Sequence, residues 1–290
     1  MNINSIHERF YKKKVYYIKG KDYIKFFNNI TTNKIVERED NVLLRTLWLN
    51  NKGRIVHDLS IGWYRNDSAN DNDKRIFLID NFSVESIEEN INKYKMSLNI
   101  KIEKTELEAR IVDKISTKVS GIYFFKTSIP LMEKYIAIGN KKNIEQSGLN
   151  IFDRKDFINN GSIYNKMIQN NKTPMELNLW YPIDFKKGCY LGQEIVARVR
   201  YKGQVKRNFS YVAVKSTKSM DDQKIYKGID EIGKLINLEL IEDGISYYSA
   251  LINHNENYEQ KGLLVIVGKK EYSANIIKNN FKEYNEKGLG

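Results

Sequence analysis

Lys186-Lys187-Gly188-Cys189-Tyr190-Leu191-Gly192-Gln193-Glu194 is the stretch on which the reading of this chain turns, and it contains the only cysteine among 290 residues. Gly188 lets the backbone take a positive φ or approach a ligand closely, and Gly192 offers the same freedom beyond the cysteine. Two lysines lie upstream, and Arg198 and Arg200 follow. A cationic neighbourhood favours thiolate over thiol, so Cys189 is a candidate reactive group. The alternative is a free cysteine buried as a small hydrophobe, although apolar core segments rarely carry so many lysines, glycines and carboxylates.

Working outward, Val196-Ala197-Arg198, Tyr201-Lys202-Gly203 and Lys206-Arg207 follow the motif, and Glu176-Leu177-Asn178-Leu179 and Phe185 precede it. Near the N-terminus, Gly20-Lys21-Asp22 leads to Phe26-Phe27 and Thr32-Asn33, and Asn51-Lys52-Gly53-Arg54 runs on to Asp58. This set resembles the YgfZ-type folate-binding proteins, relatives of the glycine cleavage T protein, an aminomethyltransferase. The resemblance is specific over residues 176–207, weaker near the N-terminus, and without a match between about 100 and 160.

The resemblance implies an α+β fold, with two interleaved α+β (ferredoxin-like) subdomains followed by a C-terminal β-barrel, arranged around a central folate-binding channel. Residues 1–207 would form the aminomethyltransferase-like region and 208–290 the barrel. It implies tetrahydrofolate or a derivative as ligand and a role in assembly or repair of 4Fe-4S proteins, including radical enzymes that modify tRNA. A-type carriers and client enzymes would be the partners. Cys189 is the expected essential residue, as a working thiol or as a transient ligand to a shared iron–sulfur cluster. Asp58, Glu176, Lys187, Gly188, Tyr190, Gly192, Gln193, Glu194 and Arg198 are the expected folate-binding set.

Composition agrees with a soluble globular chain: 41% of residues are hydrophobic and 29% charged, outside the range of disordered sequences. The length suggests two domains. No apolar run approaches the roughly 18 residues that span a bilayer, and the N-terminus lacks the layout of a secretory signal. A single cysteine forms no internal disulfide and suits a reducing compartment, so the cytoplasm is expected. The net charge of +12 would attract an anionic partner. A basic RNA-binding module would show binding that falls steeply with salt, but no block of consecutive basic residues exceeds Lys12-Lys13-Lys14 and no recognition motif is present. Neither nucleic acid nor membrane is an expected partner.

Periodicity predicts strands over Phe10–Ile18, Val42–Leu49, Ile55–Tyr64, Ile76–Ile79, Ile100–Val112, Val119–Phe125 and Tyr135–Ile138. Asp22 is positioned to cap a short helix presenting Tyr23, Phe26, Phe27 and Ile30. Val84, Ile87, Ile91 and Tyr94 share a second helical face, and Arg154–Gln169 is a third helix candidate interrupted by Gly161. Pro174 and Pro182 constrain the approach to the motif, which then runs into a helix or an extended segment over Gly192–Val199. Beyond Arg207, strands over Phe209–Val214, Ile232–Leu240, Tyr247–Ile252, Leu263–Val267 and Ser273–Ile277 form the pattern of a small barrel or sandwich.

His7, His57 and His254 are widely separated and no metal-ligand spacing is present, so no resident metal is expected. His57 and Asp58 are neighbours on a predicted strand and so point to opposite faces, which predicts one buried and one exposed group. The T protein has two aspartates here, whereas this chain has His57 beside Asp58. That departure argues against the second reading, a folate-dependent aminomethyl or one-carbon transferase. Upstream of Pro174, where the family has an Arg and a Gly-Ile-Pro stretch, the chain reads Tyr164-Asn165-Lys166-Met167-Ile168; Lys166 supplies charge without bidentate geometry. Glu194 and Arg198 stand at i and i+4 and would pair if helical. Trp180, Tyr181 and Tyr190 are candidate walls for a pterin ring.

Overall fold

The computed structural model describes residues 13–38, 41–64, 75–113, 119–127, 134–151, 171–203, 205–253 and 262–277. The helix candidate Arg154–Gln169, the Lys166 position, His7 and His254 lie outside these residues. The chain forms two compact units, Met1–Phe152 with Tyr181–Ile195, and Asp153–Trp180 with Val196–Gly290.

The first unit is built on a closed seven-stranded sheet in the order β1-β4-β3-β2-β6-β7-β5. The strands are β1 (Lys13–Lys19), β2 (Val42–Leu49), β3 (Ile55–Tyr64), β4 (Arg75–Ser83), β5 (Lys101–Val112), β6 (Ile122–Thr127) and β7 (Tyr135–Gly139). β2 and β6 pair in parallel and the other neighbours antiparallel. Helices α1 (Tyr23–Ile30) and α2 (Ile87–Tyr94) cover one face of β1–β4, and α3 (Lys141–Gln146) follows β7.

β3 is buried along nearly its whole length because both of its faces are covered. His57, Leu59, Ile61 and Trp63 alternate toward the helices, where Leu59, Ile61 and Trp63 join Tyr16, Phe26, Phe27, Trp48, Ile87 and Ile91 in one core. Asp58, Ser60, Gly62 and Tyr64 occupy the opposite face. A Cβ on Gly62 would stand 2.7 Å from Leu43 Cδ2 and 2.9 Å from Phe125 Cε1, so this face is tightly packed at its centre. Phe77 lies 5.2 Å from Tyr17, 5.0 Å from Tyr123 and 5.6 Å from Phe125, ring centre to ring centre.

Asp22 departs from the expected capping role. Its carboxylate accepts from the Asn99 backbone N–H at 2.8 Å and makes no hydrogen bond to the amides of α1. A long-range partner has won over the local one. α2 begins at Ile87, after Ser86, whose hydroxyl accepts from Glu89 N–H; Val84, expected on its apolar face, is exposed.

The second unit contains a 3₁₀ turn (Met175–Leu177) and a closed six-stranded barrel in the order β10-β11-β8-β13-β12-β9. Its strands are β8 (Arg207–Val214), β9 (Lys224–Lys227), β10 (Asp230–Glu242), β11 (Ile245–Asn253), β12 (Leu263–Val267) and β13 (Lys270–Ile277). Closure pairs every strand and leaves no open edge. β9 was not anticipated: Lys-Ile-Tyr-Lys offers a single fully buried apolar residue, Ile225. Helix α4 (Gln193–Lys202) resolves the choice left open after Gly192 in favour of a helix, and the boundary between the units falls within it.

Candidate functional site

The cysteine stands on a short arch anchored at both ends. Thr32 Oγ1 donates to Pro182 O at 2.6 Å, and Asp184 N–H donates to Thr32 O at 3.0 Å. The Lys187 ammonium donates to Thr31 O at 2.6 Å and Asn33 O at 2.9 Å, and lies 5.3 Å from the centre of the Tyr190 ring. Burial pushes the Lys187 pKa down to about 8, opposed by the charge of Asp184. Thr32 is itself fixed to β2 by a backbone hydrogen bond to Leu47 O and by accepting Leu47 N–H at its hydroxyl. Tyr190 is buried, whereas Gly188 and Cys189 are exposed. The thiol is therefore not a core group.

Gly192 closes the far end of the arch. It has φ +82°, and a Cβ there would stand 2.5 Å from Asn50 O and 3.1 Å from Leu49 Cβ. The turn it meets is closed by Asn50 N–H to Arg54 O and Gly53 N–H to Asn50 O, with the Asn50 side chain accepting from Lys52 and Arg54 N–H. Gly188 differs from the expectation: its φ is not in the positive region and no atom lies within 4 Å of where a Cβ would be. Gly192→Ala is therefore expected to destabilise the protein by roughly 3 kcal/mol, while Gly188→Ala should stay within about 0.5 kcal/mol; urea unfolding of both variants checks the contrast.

Asp58 lies in a polar cluster on the face of β3 away from the helices. Arg45 Nε donates to Asp58 Oδ1 at 2.8 Å, Arg45 Nη2 donates to Oδ2, and Asn81 Nδ2 donates to Oδ1 at 3.3 Å and to Ser60 Oγ at 2.8 Å. The ladder explains Asn81: pairing jumps from Asp58–Phe82 to Leu59–Asp80, so Asn81 is the extra residue of a bulge aimed at the carboxylate. Arg45 Nη1 donates to the Tyr181 hydroxyl, just upstream of the motif. Burial raises the Tyr181 pKa to about 12 against the opposing charge of Arg45, so the phenol stays protonated. Partly buried Lys13 completes the set; desolvation, reinforced by Arg45, pulls its pKa down to about 8, while Asp58 opposes.

Asp58 is 1% exposed and His57 is fully buried, so the expectation of one buried and one exposed neighbour is corrected: the two do point to opposite faces, but both faces are covered. Ser83 Oγ–H donates to Asp80 Oδ1 at 2.7 Å and receives His57 Nδ1–H at 2.6 Å, and Asn90 Nδ2–H donates to His57 Nε2 at 2.8 Å. This chain assigns the neutral Nδ1–H tautomer. Burial lowers the His57 pKa to about 4, with Glu85 and Glu88 opposing, and raises that of Asp80 to about 6, with Ser83 and Lys14 opposing.

These shifts pull stability in opposite directions. The neutral His57 contribution is complete above its ordinary value of 6.5 and is lost as pH falls toward 4. The protonated Asp80 contribution is complete below 3.8 and is lost as pH rises through 6. Each is worth about 3 kcal/mol at full extent. Asp80→Asn should therefore leave a stability that rises with pH between about 4 and 6, and His57→Gln one that falls. Denaturant unfolding at three pH values in that window, each variant referred to wild type, reads the two slopes.

The other expected site residues are placed separately. Gln193 and Glu194 open α4, where Glu194 complements the positive helix end. Glu194 and Arg198 are both exposed and one turn apart, yet among the described residues no ion pair joins them. Glu176 lies in the second unit, where its Oε2 accepts from Thr173 N–H and Thr173 Oγ1 at 2.9 Å each and its carboxylate lies 3.8 Å from Lys172 Nζ. Trp180 also belongs to the second unit, Tyr181 and Tyr190 to the first. Arg45 and Thr32 are the partners that sequence reasoning did not single out by role. Among the described residues no group of three His, Cys, Asp or Glu could hold a metal ion, and no helix is long and apolar enough to cross a membrane.

No family model matches the chain. An aminomethyltransferase from Caldanaerobacter subterraneus subsp. tengcongensis is 22% identical, across 93% of this chain and 83% of that protein. A tRNA-modifying protein YgfZ from Hamiltonella defensa subsp. Acyrthosiphon pisum is 26% identical over a shorter region, 35% of this chain and 31% of that protein. An iron-sulfur cluster assembly factor IBA57 homolog, mitochondrial, from Neurospora crassa is 23% identical across 66% of this chain and 49% of that protein. The crystal structure of the glycine cleavage system aminomethyltransferase T from Bartonella henselae superposes with a TM-score of 0.68 at 10% identity, covering 93% of this chain and 84% of that one. The homologues of this chain thus include aminomethyltransferases, YgfZ and IBA57, and its fold is of the aminomethyltransferase kind.

Proposed function

We propose that this protein is a tetrahydrofolate-binding accessory factor for the assembly or repair of 4Fe-4S proteins, with Cys189 as its working residue. The observation that carries the reading is the exposed thiol of Cys189 on an arch anchored to Thr31, Thr32 and Asn33 at one end and to the Asn50–Gly53 turn at the other. Thiolate is the natural ligand of iron in iron–sulfur clusters, so an exposed thiol suits a cluster-handling protein. The similarity to YgfZ and IBA57 supports the same direction.

The donors around Asp58 suit a folate. The Lys13 ammonium beside Asp58 can meet a carbonyl or ring-nitrogen acceptor of a pterin, and the carboxyl tail suits the excess positive charge. Asp58 itself is occupied by Arg45 and Asn81, so the face favours binding over acting as a carboxylate acceptor in group transfer. On this reading the seven-stranded sheet comprises two interleaved α+β halves, β1–β4 with α1 and α2, and β5–β7 with α3, around a folate channel. Residues 1–207 form the folate-binding region and 208–290 the barrel. A-type carriers and client enzymes are the partners, a shared cluster is cargo, and the cytoplasm is the site of action.

The test pairs anaerobic calorimetric titration with tetrahydrofolate and recovery of aconitase activity in cells lacking their own YgfZ-type protein. Saturable binding, recovered aconitase and no product from an aminomethyl-loaded carrier are expected. Product formation would move the assignment to the transferase. Neither binding nor recovery by a well-expressed chain would end it.

A further inference from the structure

We infer that Lys187 is the positioning residue of Cys189: its ammonium clamps the 182–187 segment onto the Thr31–Asn33 strip and takes no direct part in holding a ligand. The inference rests on the reading of Cys189 as the working residue, and the geometry beneath it is independent of that reading. An ammonium has three N–H donors and no acceptor. Two of the Lys187 donors go to the carbonyls of Thr31 and Asn33, and the third side of the charge meets the face of Tyr190. Two of the three donors are thus committed to the clamp, and the remaining one lies beside the Tyr190 ring. The adjacent Lys186 is exposed and has no such arrangement.

Thr31–Asn33 is a complete receptor for the segment. The carbonyls of Thr31 and Asn33 take the ammonium, the carbonyl between them takes Asp184 N–H, and the Thr32 hydroxyl reaches Pro182 O. Four hydrogen bonds therefore join two segments about 150 positions apart. They fix the chain two residues before the cysteine, while the Tyr190 side chain, buried on the other side, fixes it one residue after. Gly188, with open space around it, contributes nothing to this rigidity. The height at which the thiol stands is thus set by Lys187 and Tyr190.

Hydrogen–deuterium exchange on the full chain tests this with Lys187→Met, which keeps the length of the apolar stem, and Lys187→Arg, which keeps donors and charge. Charge-assisted hydrogen bonds of this kind are worth enough for the amides of 183–190 and 31–34 to exchange at least about tenfold faster in Lys187→Met. The rest of the first unit and the barrel should keep wild-type rates, and Lys187→Arg should restore most of the protection. The alkylation rate of Cys189 by iodoacetamide should change in Lys187→Met and return toward wild type in Lys187→Arg. Unchanged exchange over 183–190 in Lys187→Met would overturn the assignment, as would a tetrahydrofolate affinity that falls tenfold or more with exchange unchanged, since that is the mark of a ligand-binding cation. Exchange and alkylation do not depend on iron–sulfur activity, so failure of both tetrahydrofolate binding and aconitase recovery would refute the proposed function and leave the clamp intact.

Discussion

Replacing Arg45 with alanine is expected to destabilise the protein by about 3–5 kcal/mol, as truncating one partner of a buried ion pair does. Asp58 is 1% exposed and its carboxylate takes two of its three described hydrogen bonds from Arg45. Removing the guanidinium leaves that carboxylate desolvated with Asn81 alone, and Tyr181 loses the donor to its hydroxyl. The double variant Arg45→Met/Asp58→Leu should recover most of the loss, because a buried pair exchanged for apolar groups of similar volume is often near neutral. Equilibrium urea unfolding of the single and double variants makes the measurement. A loss in Arg45→Ala of under about 1 kcal/mol would show that solvent reaches Asp58 and that the pair is no more than a surface interaction. The same double variant bears on function: it removes the polar cluster while keeping the fold, and tetrahydrofolate binding should fall with it.

Cys189→Ser is expected to abolish recovery of aconitase activity while leaving stability within about 0.5 kcal/mol of wild type. The two halves of that expectation have one cause. The thiol is exposed, and beside it an added Cβ at Gly188 would meet open space, so a change of one atom alters no buried surface. A hydroxyl replaces sulfur as a nucleophile or iron ligand very poorly, because the thiolate is the active form in both roles. Thermal melts and aconitase assays on cells matched for expression separate the two effects. Full recovery by Cys189→Ser would reduce the cysteine to a passive position and transfer the motif's importance to its backbone. A large fall in melting temperature would place the thiol in packing that the structure does not show.

Much of this architecture is readable in the chain. The β2–β3 hairpin is marked by alternating apolar residues on either side of Asn50–Gly53, and its observed bounds coincide with those expected. The apolar face of α1 follows from spacings of three and four among Tyr23, Phe26, Phe27 and Ile30, all buried. Weak local signals were lost: α3 has six residues with Ile144 alone buried, and β9 has four. Short elements of that kind are held by their neighbours, which no local window contains. Asp22 fits a local helix cap until Asn99 competes for it.

The site divides in the same way. From residue types and order alone, the chain determined that a lone cysteine sits among glycines and lysines, that Gly192 allows a positive φ beside it, and that His57 and Asp58 face apart on one strand. Those properties follow from local stereochemistry: a positive φ favours glycine, and a strand alternates. Only the tertiary structure decided that Arg45 closes on Asp58, that a bulge turns Asn81 toward the same carboxylate, and that Lys187 rather than Lys186 grips Thr31 and Asn33. These are choices among chemically equivalent side chains, settled by which carbonyls and carboxylates the closed sheet brings within about 3 Å of a donor. Distance across the fold, 13 residues for one pair and more than 150 for the other, removes them from any pattern along the sequence.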